Sequence, residues 1–166
     1  WFANGLPEGA QAVGEWTWSE NSALPFKGHT NPITATGTSS HGFANATPFA
    51  INAGDIITTY VYVDPASVCE TLLVQFVTDS GSIEHRAYWG ANKISVGNNG
   101  TISRAYLGEI PKAALGQWAQ LEIPATAVGL EGKKLRGIAF LQVGGQASWG
   151  RVAAGQPEGQ VRTHLA

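Results

Sequence analysis

DIITTYVYVDPASVCETLLVQFVTDSGSIEHRAYWG, residues 55–90, decides the fold. In its first third Ile57, Val61 and Val63 fall on one side and Thr58, Tyr60 and Tyr62 on the other, the period-two pattern of a half-buried strand. TLLVQFVTD (71–79) then sets Leu72, Val74 and Phe76 against Leu73, Gln75 and Val77. The DSG at 79–81 is turn chemistry, so 71–79 and 82–90 are expected to form a hairpin. On the return strand Ile83, His85, Ala87 and Trp89 share the inner side, and Glu84, Arg86 and Tyr88 take the exposed side.

The same pattern extends outward from this stretch. AVGEWTWSE (12–20), HGFANATPFAIN (41–52), QWAQLEIP (117–124), LRGIAFLQV (135–143) and SWGRVA (148–153) all read as strands, the last closing the sheet. Trp16 and Trp118 are expected in the core. Between two of these strands PATAVGLEG (124–132) holds one short helical turn ending at Gly129 or Gly132. Twenty-one glycines and eight prolines punctuate the chain, and helical periodicity is almost absent. About nine strands with no helix to cover a parallel sheet imply an all-β fold, an antiparallel β-sandwich of jelly-roll type. Residues 1–155 read as a single domain, and 156–166, including His164, as a polar tail or linker remnant.

Composition narrows the function. The chain has 166 residues, enough for one real core, and is 43% hydrophobic but only 13% charged. A surface built from Ser, Thr, Asn, Gln and Gly suits a secreted, extracellular β protein. A net charge of −2 gives no field favouring nucleic acid or an anionic membrane, and no apolar run approaches a membrane span. The chain opens without a signal peptide and contains no Met, which reads as a piece of a larger protein in preference to a mature chain. Cys69 is the one cysteine; it reads as a small buried hydrophobe.

Most catalytic chemistries lack their residues. A glycosidase needs paired carboxylates about 5–10 Å apart, and only Glu84 and Glu122 lie in firm strands, with Glu122 on an outward polar stripe behind Trp118 and Gln120. No G-x-S-x-G elbow or phosphate-binding glycine loop occurs. His29, His41 and His85 are too scattered to imply a zinc site. Asn45-Ala-Thr47 and Asn99-Gly-Thr101 match an acceptor pattern that matters only in a eukaryotic secretory setting.

Two surface chemistries remain. A jelly-roll polysaccharide lyase would use Arg or Gln against a uronate carboxylate and Tyr or His as base. Gln75, Glu84, Arg86 and Tyr88 supply those types, but the paired Arg-rich and Tyr/Lys-rich strand motifs of such lyases are absent. A sugar-binding platform needs flat rings beside bidentate polar groups. Tyr60, Tyr62, Gln75, Glu84, Arg86 and Tyr88 are its candidate ligand-binding residues, with Trp89, His41 and Asn92 at the edge. Arg86 tilts the expected ligand toward an acidic polysaccharide.

GLPEGA (5–10), EWTW (15–18), SHGF (40–43), AGDIITTYVYVDPAS (53–67), IEHRAYWGAN (83–92), GQWAQLEIPATAVGLEGKKLRGIAF (116–140) and GGQASW (144–149) together resemble a jelly-roll carbohydrate-binding module of the galactose-binding-like kind. Such modules occur in secreted multidomain bacterial proteins. The resemblance implies non-catalytic binding that targets an attached enzyme or surface protein to a polysaccharide. Relatives favour Trp where Ile83 and Phe76 stand, and an acidic residue where Gly150 stands. Modules of this kind commonly hold a structural calcium. Here Asn4, Glu8, Glu15 and Glu20 are the candidate ligands, no cofactor is required, and Gly150 weakens the closing side. A structural or adhesive module without a sugar site is the third reading.

Overall fold

The structure, a computed structural model, describes residues 5–14, 17–19, 28–30 and 38–156, with side chains at 5–14 and 40–156. Its strands are β1 (Gln11–Val13), β2 (Thr17–Ser19), β3 (Gly28–Thr30), β4 (Thr38–Ala44), β5 (Phe49–Ala50), β6 (Ile56–Val63), β7 (Thr71–Thr78), β8 (His85–Gly90), β9 (Ala105–Tyr106), β10 (Trp118–Pro124), β11 (Lys134–Val143) and β12 (Ala147–Gly155). Among the described residues they build a five-stranded sheet in the order β10-β6-β12-β3-β2 and a seven-stranded sheet in the order β1-β4-β11-β7-β8-β9, with β5 also on β11. The fold is an all-β jelly-roll sandwich. Its pairs are antiparallel except β8 with β9, which run parallel. The strand read as closing the sheet, β12, instead lies inside it, between β6 and β3.

The core forms where the two inner faces meet. Ile57, Val61, Val63, Leu121, Ile123 and Trp149 come from the five-stranded sheet; Phe43, Leu72, Val74, Phe76, Trp89, Ile138 and Phe140 come from the other. Phe140 and Trp149 stack across the gap at 5.0 Å between ring centroids. The indole Nε1 of Trp149 donates to Oε1 of Gln142 at 3.3 Å, which satisfies its polar atom inside the core. Full burial of so many large side chains is the main favourable term in folding.

The alternation of β6 is as the sequence implies: Ile57, Thr59, Val61 and Val63 are buried, while Thr58, Tyr60 and Tyr62 are half-buried on the outer side. The expected hairpin also forms, with Gln75 opposite Arg86 and Leu73 opposite Tyr88. Between β10 and β11, residues Ala125–Val128 make one 3-10 turn, ended by Gly129 in the left-handed region at φ 68. Gly145 holds the 144–146 turn against the 67–69 loop. A methyl there would strike the backbone of Ser67 and Val68, and its φ of 70 suits glycine.

Candidate functional site

The structure divides the expected platform between two surfaces. Tyr60 and Tyr62 sit on the outer face of the five-stranded sheet, because β6 pairs with β10 and β12. Gln75, Arg86 and Tyr88 sit on the outer face of the other sheet, because β7 and β8 pair with each other and β7 with β11. The whole sandwich lies between the two groups, so they cannot share one ligand. This corrects the single platform read from sequence: periodicity assigns a side to each residue but not a sheet.

Arg86 and Tyr88 require a second correction. Both point away from the core, yet each is only 2% exposed. The 91–104 segment folds over them. Arg86 donates from Nε to Oε1 of Gln75 at 2.7 Å, and from Nη1 to Glu84 Oε2 at 2.9 Å and the Ser103 carbonyl at 3.1 Å. The Tyr88 hydroxyl donates to Asn99 Oδ1 at 2.6 Å. Arg104 braces the segment from within, donating to Asn92 Oδ1 and to the carbonyls of Ile94 and Gly97. Both arginines are therefore parts of the scaffold. The uronate-binding and lyase readings leaned on Arg86, and its guanidinium is closed off from solvent.

The remaining expected residues disperse. His41 and Trp89 face the core; His41 packs on Phe140 at 5.4 Å, and burial pushes its imidazole down to about 4. His85 is buried with Nδ1 2.7 Å from the Val128 carbonyl. Ile83, expected inside, is 44% exposed because β8 begins only at His85. Glu84 and Asn92 are exposed. Cys69 is buried as expected, and its thiol is pushed up to about 11 by burial and by the charge of Asp64. Trp16, His164 and the calcium candidates Asn4, Glu15 and Glu20 lie outside the described residues. Glu8 is exposed in a turn, and among the described residues no three His, Cys, Asp or Glu side chains converge.

What the five-stranded sheet does present is a coherent outer face. The register sets three rows across β10, β6 and β12: Trp118, Tyr62 and Ser148; Gln120, Tyr60 and Gly150; Glu122, Thr58 and Ala153. Trp118, expected in the core, is half-buried on this face, with its ring 5.8 Å from that of Tyr62 and tilted by 49°. Its neighbours on β10, Leu121 and Ile123, fill the inner side instead. Next to the rings the face sinks into a groove of about 410 Å³ lined by Thr58, Gln120, Glu122, Ala153, Gly155 and Gln156, among others. Gln156 is clamped there, its Nε2 donating to Asp55 Oδ1 at 2.8 Å and to the Ala53 carbonyl at 3.0 Å. A β-bulge between Gly150 and Val152 puts the exposed Arg151 on β12 at φ 30. The outward stripe of Gln120 and Glu122 was visible in the alternation of 117–124, and Trp118 falls on the same side of it. Its union with Tyr60 and Tyr62 needed the strand pairing.

No family model and no curated protein matches this chain. Among solved structures it is similar to the glycoside hydrolase domain of Endo-D from Streptococcus pneumoniae R6, at 9% identity and a TM-score of 0.49, over 90% of this chain and 22% of that one. It is similar to TmCBM61, solved with beta-1,4-galactotriose, at 8% identity and 0.47, over 89% and 88%. It is also similar to the K1 cleaved adhesin domain of Lys-gingipain from Porphyromonas gingivalis W83, at 12% identity and 0.48, over 93% and 95%. The chain thus spans about a fifth of the first of these. At such identities and scores the likeness carries no argument about the site.

Proposed function

We propose that the protein is a non-catalytic carbohydrate-binding module that holds an attached enzyme or surface protein on an extracellular polysaccharide. The observation that carries this reading is the Tyr62–Trp118 ring pair beside Tyr60, Thr58, Gln120, Glu122 and Ser148 on one accessible sheet face. Sugars offer apolar C–H faces and many hydroxyls. A site for them combines rings with a few well-placed polar groups, and this face supplies both. No acid–base pair is needed for that task. Weak binding suffices when a tether raises the local concentration of the partner domain.

Native affinity electrophoresis through gels containing soluble polysaccharides tests the reading. Retardation by at least one polymer, lost in Trp118→Ala and in Tyr62→Ala with the thermal transition retained, is the expected result. Unretarded migration through every polymer would instead leave the face as a packing surface for a neighbouring domain.

A further inference from the structure

The charges on this face say which glycans it accepts. Glu122 is the one titratable group among the described lining of the groove. The guanidinium that favoured acidic glycans, Arg86, is buried on the opposite sheet and bonded to Gln75, Glu84 and Ser103. Arg151 lies on β12, across β6 from β10, and does not line the groove. A carboxylate only accepts hydrogen bonds, so it wants donors opposite it, and sugar hydroxyls provide them. Gln120, two residues before Glu122 on the same side of β10, both donates and accepts.

The spacing adds a second constraint. Trp118 and Glu122 are four residues apart on one strand, roughly 13 Å at the usual rise per residue. That exceeds one pyranose ring, so a ligand touching both the ring pair and Glu122 must be a run of linked sugars.

We infer that the groove takes a run of linked sugars of an uncharged polysaccharide, stacked on Tyr62 and Trp118 and gripped at its hydroxyls by Gln120 and Glu122, and that Glu122 turns uronate sugars away. This rests on the proposed glycan reading and adds the ligand class. Two carboxylates about 5 Å apart near a protein surface repel enough to cost about tenfold or more in affinity.

The test uses the whole chain against galactan, galactomannan, xyloglucan and pullulan as neutral polymers, and polygalacturonate and alginate as acidic ones. A neutral polymer is expected to retard the protein while both acidic ones leave it unretarded. With Glu122→Gln, neutral binding should weaken several-fold and the neutral-to-acidic ratio should fall about tenfold. Calorimetry with oligosaccharides of the retarding polymer should show affinity rising from monosaccharide to trisaccharide. Equal retardation by an acidic polymer, an unchanged ratio in Glu122→Gln, or a monosaccharide binding as tightly as the trimer would each overturn the inference and leave glycan binding standing. Silence from every polymer would remove the glycan reading and the inference together.

Discussion

Nε of Arg86 donates to Oε1 of Gln75 at 2.7 Å, across directly opposed positions of β7 and β8. This bond, with the one to the Ser103 carbonyl, lets a full charge lie under the 91–104 segment. Glu84 completes the set, but its side chain is 61% exposed. The partners are therefore unequal. Arg86→Ala should destabilise the fold by ~3 kcal/mol, because it leaves the Ser103 carbonyl and Gln75 without their donor. Glu84→Gln should cost under ~1 kcal/mol, the range of an exposed ion pair. Urea unfolding of both variants compares them, and equal costs would contradict the scaffold role.

Gly97 lies in the covering segment, close to Ser103 and Arg86. It has φ 75, and a methyl there would meet the Ser103 carbonyl and approach Arg86 Nη1. Gly97→Ala should free the segment without dismantling the sandwich. Hydrogen exchange is expected to quicken across 93–103 while β6 and β12 stay protected. Uniform loss of protection would mean that the segment is integral to the core.

His41 gives the fold a dependence on acid. Its imidazole takes a proton at about 4 when folded, against 6.5 when free. Between those values the unfolded chain binds the extra proton and the folded one does not, so stability falls as pH drops through this window. This residue contributes a loss of ~3 kcal/mol on going from above 6.5 to below 4. Above 6.5 it contributes no slope. Urea midpoints from pH 4 to 7 should show the decline, and His41→Leu should flatten it.

The two tryptophans on β10 and β12, the strands that flank β6, should answer differently to truncation. Trp149 is fully buried against Phe140, so Trp149→Ala should cost about 3–5 kcal/mol. Trp118 is half-buried on the outer face, and Trp118→Ala should cost no more than ~2 kcal/mol while removing glycan retardation. Thermal melts of both, beside the gel assay, check the pair.

Much of the sandwich was legible in residues 55–90 because strands exposed on one side write their burial into alternate positions. Ile57, Val61 and Val63 announced the inner face of β6, and the DSG turn announced the β7–β8 hairpin. Two physical facts have no such signature. One is pairing between distant strands, which put Tyr60 and Tyr62 beside Trp118 rather than beside Arg86. The other is tertiary cover: Arg86 and Tyr88 alternate as an exposed row would, and the return of 91–104, with Tyr106 beyond it against Tyr88, buries them. Trp118 was misplaced for a related reason. A large ring can belong to either face, and the smaller Leu121 and Ile123 had already claimed the inside.

The way 91–104 is fastened bears on how this surface could change. Arg86 and Arg104 grip it chiefly by main-chain oxygens, at Ser103, Ile94 and Gly97, and a carbonyl is the same whichever amino acid carries it. Exposed positions such as Ser95 and Val96 are thereby released from structural duty, so new chemistry can be written there while the frame beneath keeps its shape.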